Sequence, residues 1–453
     1  MNVAMIGAGR VGLVAAACLA DFGIRVHGVD NQAERIESLH QGRLPFHEPG
    51  LLELVEKNTR AGRLSFSTRL AEAVAQSLVV FIAVGTEEET AGVPNLKTLF
   101  AVARDIARVM KEYKVLVIKS TVPVGTARRL TDELQQETNI EFDIVSNPEF
   151  LREGSAIENF MRPDRVILGG RSEHALAIVR DIYRPLYLIE TPIVTTNNET
   201  AELAKYASNA FLALKVSFIN EIASLCDRTG VDVHDVARAL GLDKRIGPKF
   251  LHPGLGFGGS CLPKDTRVLV AMAGEHGCRL RTIEGALETN SSLCSYQIER
   301  LKQPMGSLQG RTVGVLGLAY KPFTDDVRDA QALEFVRLLL EEGAIVQAYD
   351  PVANACAAQV LAHDHLRFQP GAYEAAGGAD AVAVLTEWNE FRNLDLGKLR
   401  KAMRGKILLD VRNVFDPEAA VSHGFAYLGR GRSARSAVRN DAPVKAAAPG
   451  TRD

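Results

Sequence analysis

The chain has 453 residues, too long for one ordinary domain and in the range of two or three. Apolar residues make up 46% and charged residues 24%, the balance of a globular protein with a sizeable core. A formal net charge of −2 excludes a protein built to neutralise a nucleic-acid backbone, and the six cysteines and ten histidines lack disulfide or metal spacing.

In chain order, a first strand is expected at residues 3–6, almost at Met1. That leaves no room for a signal peptide, and no apolar run reaches the ~18 residues of a membrane span. A cytoplasmic enzyme with no membrane or nucleic-acid partner is the expectation. The strand runs into Gly7-Ala8-Gly9-Arg10-Val11-Gly12, a G-x-G-x-x-G turn opening a helix. Gly7 permits the tight turn, Gly9 and the following amide of the helix face a pyrophosphate, and Gly12 allows close helix–strand packing. Asp30, closing a second strand at 25–29, is placed to hold a ribose hydroxyl and to repel a 2′-phosphate, so the cofactor expected is NAD. Arg35 nearby weakens that preference slightly.

Further strands are expected at 78–84, 115–120, 143–146 and 165–168, alternating with helical patterns as in a parallel sheet covered by helices. Turn residues cluster after several of them, at Gly85-Thr86, at 121–125 and at Asn147-Pro148. Ligands in such sheets bind beyond the strands' carboxyl ends.

From residue 198 the pattern changes. Residues 199–227 read as one long helix without internal glycine or proline, and 281–301 as another. Lys205 and Asn209, four apart, share a face and can stabilise an oxyanion together. Between the helices lies Phe250-Leu-His-Pro-Gly-Leu-Gly-Phe-Gly-Gly-Ser-Cys261-Leu-Pro263-Lys264-Asp265. Its glycines suit close backbone approach to a ligand. Pro263 suits a first helical turn, which places Cys261 just before a helix N-terminus with Lys264 beside it; both lower a thiol's pKa. Asp265 can accept a proton or orient a water.

A second alternation follows, with strands at 312–316, 345–349, 381–385 and 406–411 and a helix at 332–342. It lacks the glycine fingerprint, and Lys321 follows its first strand as a point charge for another phosphate. From 431 onward periodicity and aromatics disappear, as in a disordered tail.

The segments 119–126 (KSTVPVGT), 147–165 (NPEFLREGSAIENFMRPDR), 199–221, 250–265 and 318–330 (LAYKPFTDDVRDA) together resemble the UDP-glucose/GDP-mannose dehydrogenase family, from residue 1 to about 428. The resemblance implies an α/β chain of three parts: a Rossmann NAD-binding domain (1–197), a central helical dimerisation region carrying the cysteine (198–305), and a Rossmann-like nucleotide-sugar-binding domain (306–430), followed by the tail (431–453). It implies a homodimer that oxidises the primary alcohol of a nucleotide sugar to a carboxylate with two NAD in succession. The wording of 120–126 and 151–165 looks like the UDP-glucose branch; UDP-N-acetylhexosamine and GDP-mannose enzymes share the chemistry.

By the same resemblance Cys261 is the nucleophile, passing through a thiohemiacetal and a thioester. Lys205 and Asn209 stabilise oxyanions, Asp265 with Thr121 and a water assists the first deprotonation, and Glu149 activates the hydrolytic water. Asp30, Arg35, Thr86, Thr121, Glu153, Lys264 and Arg328 are implied cofactor contacts, beside Gly7, Gly9, Val11 and Gly12. Glu149, Phe150, Leu151, Arg152, Lys205, Asn209, Phe250, Leu251, His252, Pro253, Gly254, Gly258 and Lys321 are implied substrate contacts, and Arg245 one that reaches across the dimer interface. Arg10 and Glu87 depart from the family, which usually has an aromatic residue and a proline there. A one-step dehydrogenase with a structural Cys261, and a silent nucleotide-sugar sensor, are the competing readings.

Overall fold

The computed structural model describes residues 1–432; the expectation for 433–453 lies outside the described residues. The first half contributes β1 (Asn2–Ile6), β2 (Arg25–Val29), β3 (Leu64–Ser67), β4 (Val79–Ile82), a small hairpin of β5 (Glu88–Thr90) and β6 (Val93–Pro94), then β7 (Lys114–Ile118), β8 (Phe142–Ser146), β9 (Val166–Gly169) and β10 (Ile193–Thr196). Apart from the hairpin these form one sheet in the order β10-β9-β8-β7-β4-β1-β2-β3. Strands β3, β2, β1, β4, β7 and β8 run parallel; β9 meets β8 antiparallel at the single pair Ser146–Gly169.

The parallel strands are buried on both faces, so they read as continuous apolar runs. In β1, Val3 and Met5 pack with Leu13 and Leu19 of helix Arg10–Asp21, while Ala4 and Ile6 pack on the other face with Leu99, Ile106 and Leu130. The strand order reverses between β1 and β4, which opens a crevice at their carboxyl ends.

The second sheet joins β11 (Thr312–Leu316), β12 (Ile345–Tyr349), β13 (Leu366–Phe368), β14 (Ala381–Val384), β15 (Ile407–Asp410) and β16 (Ala426–Gly429) in the order β13-β12-β11-β14-β15-β16, all parallel. It repeats the order of β3 to β8. Asp350, just after β12, accepts bonds from Leu318 N (2.8 Å) and Ala319 N (3.1 Å), as Asp30 accepts one from Ala8 N (2.8 Å) in the first sheet.

Between the sheets stand the long helix Asn198–Thr229 and helices Val233–Leu242, Leu262–Glu275 and Arg281–Met305. The long helix is capped by Asn197, whose side chain accepts from Thr200 N, and ends at Gly230 in a left-handed conformation. By length and composition alone it could cross a membrane, but charged and polar residues interrupt it, so it is not a continuous apolar run. Its polar residues Glu202, Lys205, Asn209 and Asn220 are nevertheless buried, with protein partners, as in a core helix.

The expected tail begins too early. Arg430 is fully buried, Gly431 N donates to Asp227 Oδ1 (2.9 Å), Gly431 O accepts from Val233 N (2.9 Å), and Arg432 pairs with Asp232 (2.9 Å). Partners two hundred residues upstream hold this stretch, which periodicity cannot reveal.

Candidate active site

Two of the three fingerprint glycines meet a steric demand within the protein. Gly7 has φ +103°, and a Cβ there would lie 2.5 Å from Ala83 O; one at Gly12 would lie 1.9 Å from Gly7 O. At Gly9 a Cβ would meet no protein atom within 4 Å, so the helix Arg10–Asp21 opens onto free space. Its N-cap carries no side-chain bond and leaves the first-turn amides for a ligand. Asp30 is buried, shared between Ala8 N, Gln32 N (3.0 Å) and Arg35 Nη1 (2.7 Å). Beyond β4 the buried Thr86 donates from Oγ1 to Thr121 O (2.9 Å). This open turn, with an acidic residue at the next strand's end, fits a dinucleotide.

Across the crevice, Leu262–Glu275 is the cysteine helix, with Cys261 as its N-cap and Pro263 in its first turn. The long helix brings up Lys205 and, one turn later, Asn209. Lys205 Nζ lies 2.9 Å from Glu149 Oε1, and both side chains are almost completely buried. Asn209 Nδ2 donates to Asp265 Oδ2 (2.6 Å), and Lys264 Nζ to Asp265 Oδ1 (2.6 Å). Burial alone would raise the Glu149 pKa, but Lys205, the Leu151 amide and Lys119 together hold it below the carboxylate range. Lys205 is likewise raised: burial opposes its charge, and Glu149, Cys261 and Asp265 overcome it. Phe150 lies under Arg165, whose guanidinium is 3.6 Å from the ring centroid.

The expectation of a low-pKa thiol is corrected. Desolvation of Sγ by the surrounding protein, then the Glu149 charge, push the Cys261 pKa up to about 11; Lys205 works in the opposite direction. The residue as a whole retains exposed surface. Lys264 cannot offset the rise, because its ammonium is committed to Asp265.

The reading of the glycine run also changes. A Cβ at Gly254 would strike Arg412 (2.8 Å), at Gly256 Asn290 Oδ1 (2.2 Å), at Gly258 Asp329 O (2.4 Å) and at Gly259 the Tyr320 ring (2.8 Å). These glycines let protein pack against the loop. Phe250 takes φ +64°, Leu251 and Pro253 are buried, and His252 is exposed. Gly254 N is held by Asn220 Oδ1 (3.0 Å). Arg412, not singled out from sequence, reaches this loop while bonding Leu385 O (2.9 Å) and pairing with Glu387 (3.3 Å).

Profiles of one family cover nearly the whole described chain: its NAD binding domain matches residues 1–187, its central domain 199–292 and its UDP binding domain 314–417. The chain belongs to the UDP-glucose/GDP-mannose dehydrogenase family. A Rhizobium meliloti (strain 1021) protein named UDP-glucose 6-dehydrogenase is 46% identical over 438 residues, covering 95% of this chain and 100% of its own. The structure of a UDP-glucose dehydrogenase from Pyrobaculum islandicum superposes with a TM-score of 0.88 at 39% identity, covering 95% of this chain and 98% of that one. A UDP-D-ManNAc dehydrogenase from Pyrococcus horikoshii gives 0.83 at 29% identity, covering 95% and 99%.

Within this family member, the other residues named from sequence fall into two groups. Glu153, Lys321 and Arg328 gather where the second sheet's first loop meets the first half. Lys321 Nζ donates to Glu153 O, and Arg328 pairs with Asp326 (2.7 Å) and lies 3.6 Å from Glu153. Burial pushes Glu153 up to about 7, Asp326 adds to the rise, and Arg10 and Arg328 oppose it. By contrast, Arg152 bonds Asn159 at the surface, and Arg245 is exposed and paired with its neighbour Asp243 (2.6 Å). Neither joins the Cys261 cluster within one chain. Lys119, also missed, is buried with Nζ 3.1 Å from Asn147 Oδ1 and 3.3 Å from the Tyr183 hydroxyl.

Proposed function

We propose that this chain oxidises the 6-hydroxymethyl group of UDP-glucose to the carboxylate, with two NAD consumed per sugar. The observation that carries the reading is the pairing of Glu149 with Lys205 and of Asn209 with Asp265, in the cleft where Cys261 caps the helix bearing Asp265. Gly7, Gly9, Val11, Gly12, Asp30, Arg35, Thr86, Thr121, Glu153, Lys264 and Arg328 are the residues that would hold the cofactor, and NAD bound there supplies the hydride acceptor. The nearest relatives quoted are named for UDP-glucose, and the UDP-N-acetylmannosamine enzyme is more distant, which supports UDP-glucose as the sugar.

Asp265, through a water held near Thr121, takes the proton of the primary alcohol, while Lys205 and Asn209 donate to the oxygen as charge develops. The resulting aldehyde carries no readily lost hydride until something adds to it. Sγ of Cys261 adds to the carbonyl carbon as its proton passes to solvent water, giving a thiohemiacetal whose oxyanion rests on the same two donors. Oxidation of that adduct leaves a thioester. Glu149, held ionised, draws a proton from the attacking water; the C–S bond breaks and the carboxylate and thiol separate. Phe150, Leu151, Arg152, Phe250, Leu251, His252, Pro253, Gly254, Gly258 and Lys321 frame the nucleotide sugar in this reading.

The active unit in this reading is a cytoplasmic homodimer, with Arg245 reaching the partner's substrate. An NADH-stoichiometry assay across UDP-glucose, UDP-N-acetylglucosamine, UDP-N-acetylmannosamine and GDP-mannose tests the proposal. Two NADH per UDP-glucose, and no acid from the Cys261→Ala variant, are the expected results. One NADH per sugar with an active Cys261→Ala variant would replace it with a simple alcohol dehydrogenase.

A further inference from the structure

Residues 321–329, in the loop between β11 and helix Gln331–Glu341, cross from the second sheet to the first half of the chain. Two of them, Phe323 (φ +66°) and Asp329 (φ +46°), hold left-handed conformations without being glycine. Such conformations persist only where neighbours over-determine them. Phe323 packs on Gly154 and Trp388, and two arginines from outside the segment hold its acidic residues Asp325 and Asp329.

Arg10, the first residue of the fingerprint helix, places Nη2 2.7 Å from Asp325 Oδ1 and Nη1 3.4 Å from Thr324 Oγ1 and 3.6 Å from Glu153 Oε2. Its guanidinium lies over the Phe46 ring at 5.0 Å, and the other Asp325 oxygen accepts from His47 N (3.1 Å). At the far end, Arg267 of the cysteine helix pairs with Asp329 (2.9 Å) and with Glu88 of β5. The segment is thus tied to the pyrophosphate turn on one side and to the cysteine helix on the other.

These pairs are partly exposed, with side-chain exposures of 24% for Arg10 and 18% for Asp325. Such contacts are weak singly and weaker in salt, so they suit a closure that opens on every turnover. The proposed reaction needs this. The first NADH must leave and a second NAD enter while the sugar stays in place. Arg10 is already committed to carboxylates, and so is a poor free ligand for a phosphate. We propose that Arg10, through Asp325, is a positioning residue that holds segment 321–329 against the cofactor turn and thereby sets the rate at which NADH leaves between the two oxidations. The inference rests on the functional reading above.

The test is stopped-flow fluorescence of NADH release from the full-length chain, without sugar. Arg10→Ala and Asp325→Ala should each speed release by about fivefold, and the double variant should be no faster than either single one. Arg10→Lys should restore part of the slow release, and added salt should speed the unaltered chain but not the variants. Because Asp325 lies in the other half of the molecule, its variant checks against local damage at the fingerprint helix. Release within about twofold of the unaltered chain, or single effects that multiply in the double variant, would overturn the inference. Weaker binding through association alone would also overturn it, by making Arg10 a steering charge. An unaltered chain that binds no NADH would instead remove the functional reading, and this inference with it.

Discussion

Glu149 and Lys205 illustrate how burial and charge compete at one residue. Each would lose its charge if buried alone, and each keeps it because the other lies 2.9 Å away. Cys261 is the member left unfavourably placed: its pKa of about 11 reflects desolvation first and the Glu149 carboxylate second. Below that pH the free enzyme holds a thiol, so the thiolate must arise as the sulfur adds to a carbonyl. Alkylation of Cys261 by iodoacetamide, followed by peptide mass mapping to separate it from the exposed Cys278, should therefore keep accelerating with pH well above neutrality. Glu149→Gln removes the charge that raises the pKa and should speed alkylation at pH 8; Lys205→Met should slow it. A rate that levels off near pH 7 would contradict the assignment.

At the scale of elements, Pro263 and the strand–glycine–helix turn at 3–12 were legible because local sterics dictate them. Burial on both faces made β1, β4 and β7 readable as apolar runs, whereas the edge strands β3 (LSFS) and β16 (AYLG) carry no such run and went unread. Glycines 254, 256, 258 and 259 were visible, but what fills the space beside them comes from distant chain segments. Arg430 was invisible for the same reason. It donates to Asn220 O (2.7 Å), Ser224 Oγ (2.9 Å) and Asp227 Oδ2 (3.0 Å), and its guanidinium lies over the Tyr296 ring, 4.9 Å from its centroid. Since Asn220 also holds Gly254 N, the end of the second sheet and the 250–254 loop share one support. Arg430→Met leaves Asp227 with Arg300 (3.3 Å) and Asn220 O with Ser224 Oγ (3.1 Å), but removes the guanidinium's buried hydrogen bonds to all three residues. It should cost about 3 kcal/mol in urea unfolding and raise KM for the sugar nucleotide more than it lowers kcat. Unchanged stability would mean that this cluster does not anchor the sheet.

At the scale of the whole molecule, the long helix buries one face against the cysteine helix and Arg281–Met305 and leaves another uncovered. Leu203, Ala207, Phe211, Phe218 and Leu225 recur along that stripe, with Phe211 60% and Leu225 58% exposed. An apolar stripe over more than twenty residues is costly in water, and the homodimer proposed above would cover it with a second copy of the chain. The same helix carries Lys205 and Asn209 on its buried side, so a dimer formed there would stiffen the element that holds the oxyanion donors. Phe211→Glu combined with Phe218→Glu places like charges on the stripe without touching the buried face. Sedimentation should then show a dimer for the unaltered chain and a folded monomer, judged by circular dichroism, for the double variant. If Arg245 reaches the neighbouring substrate, the monomer should also show a higher KM for the sugar nucleotide, and Arg245→Ala in the dimer should reproduce that rise. A double variant that remains dimeric would move the interface to another surface, and an unaltered chain that sediments as a monomer would leave Arg245 without a substrate to reach.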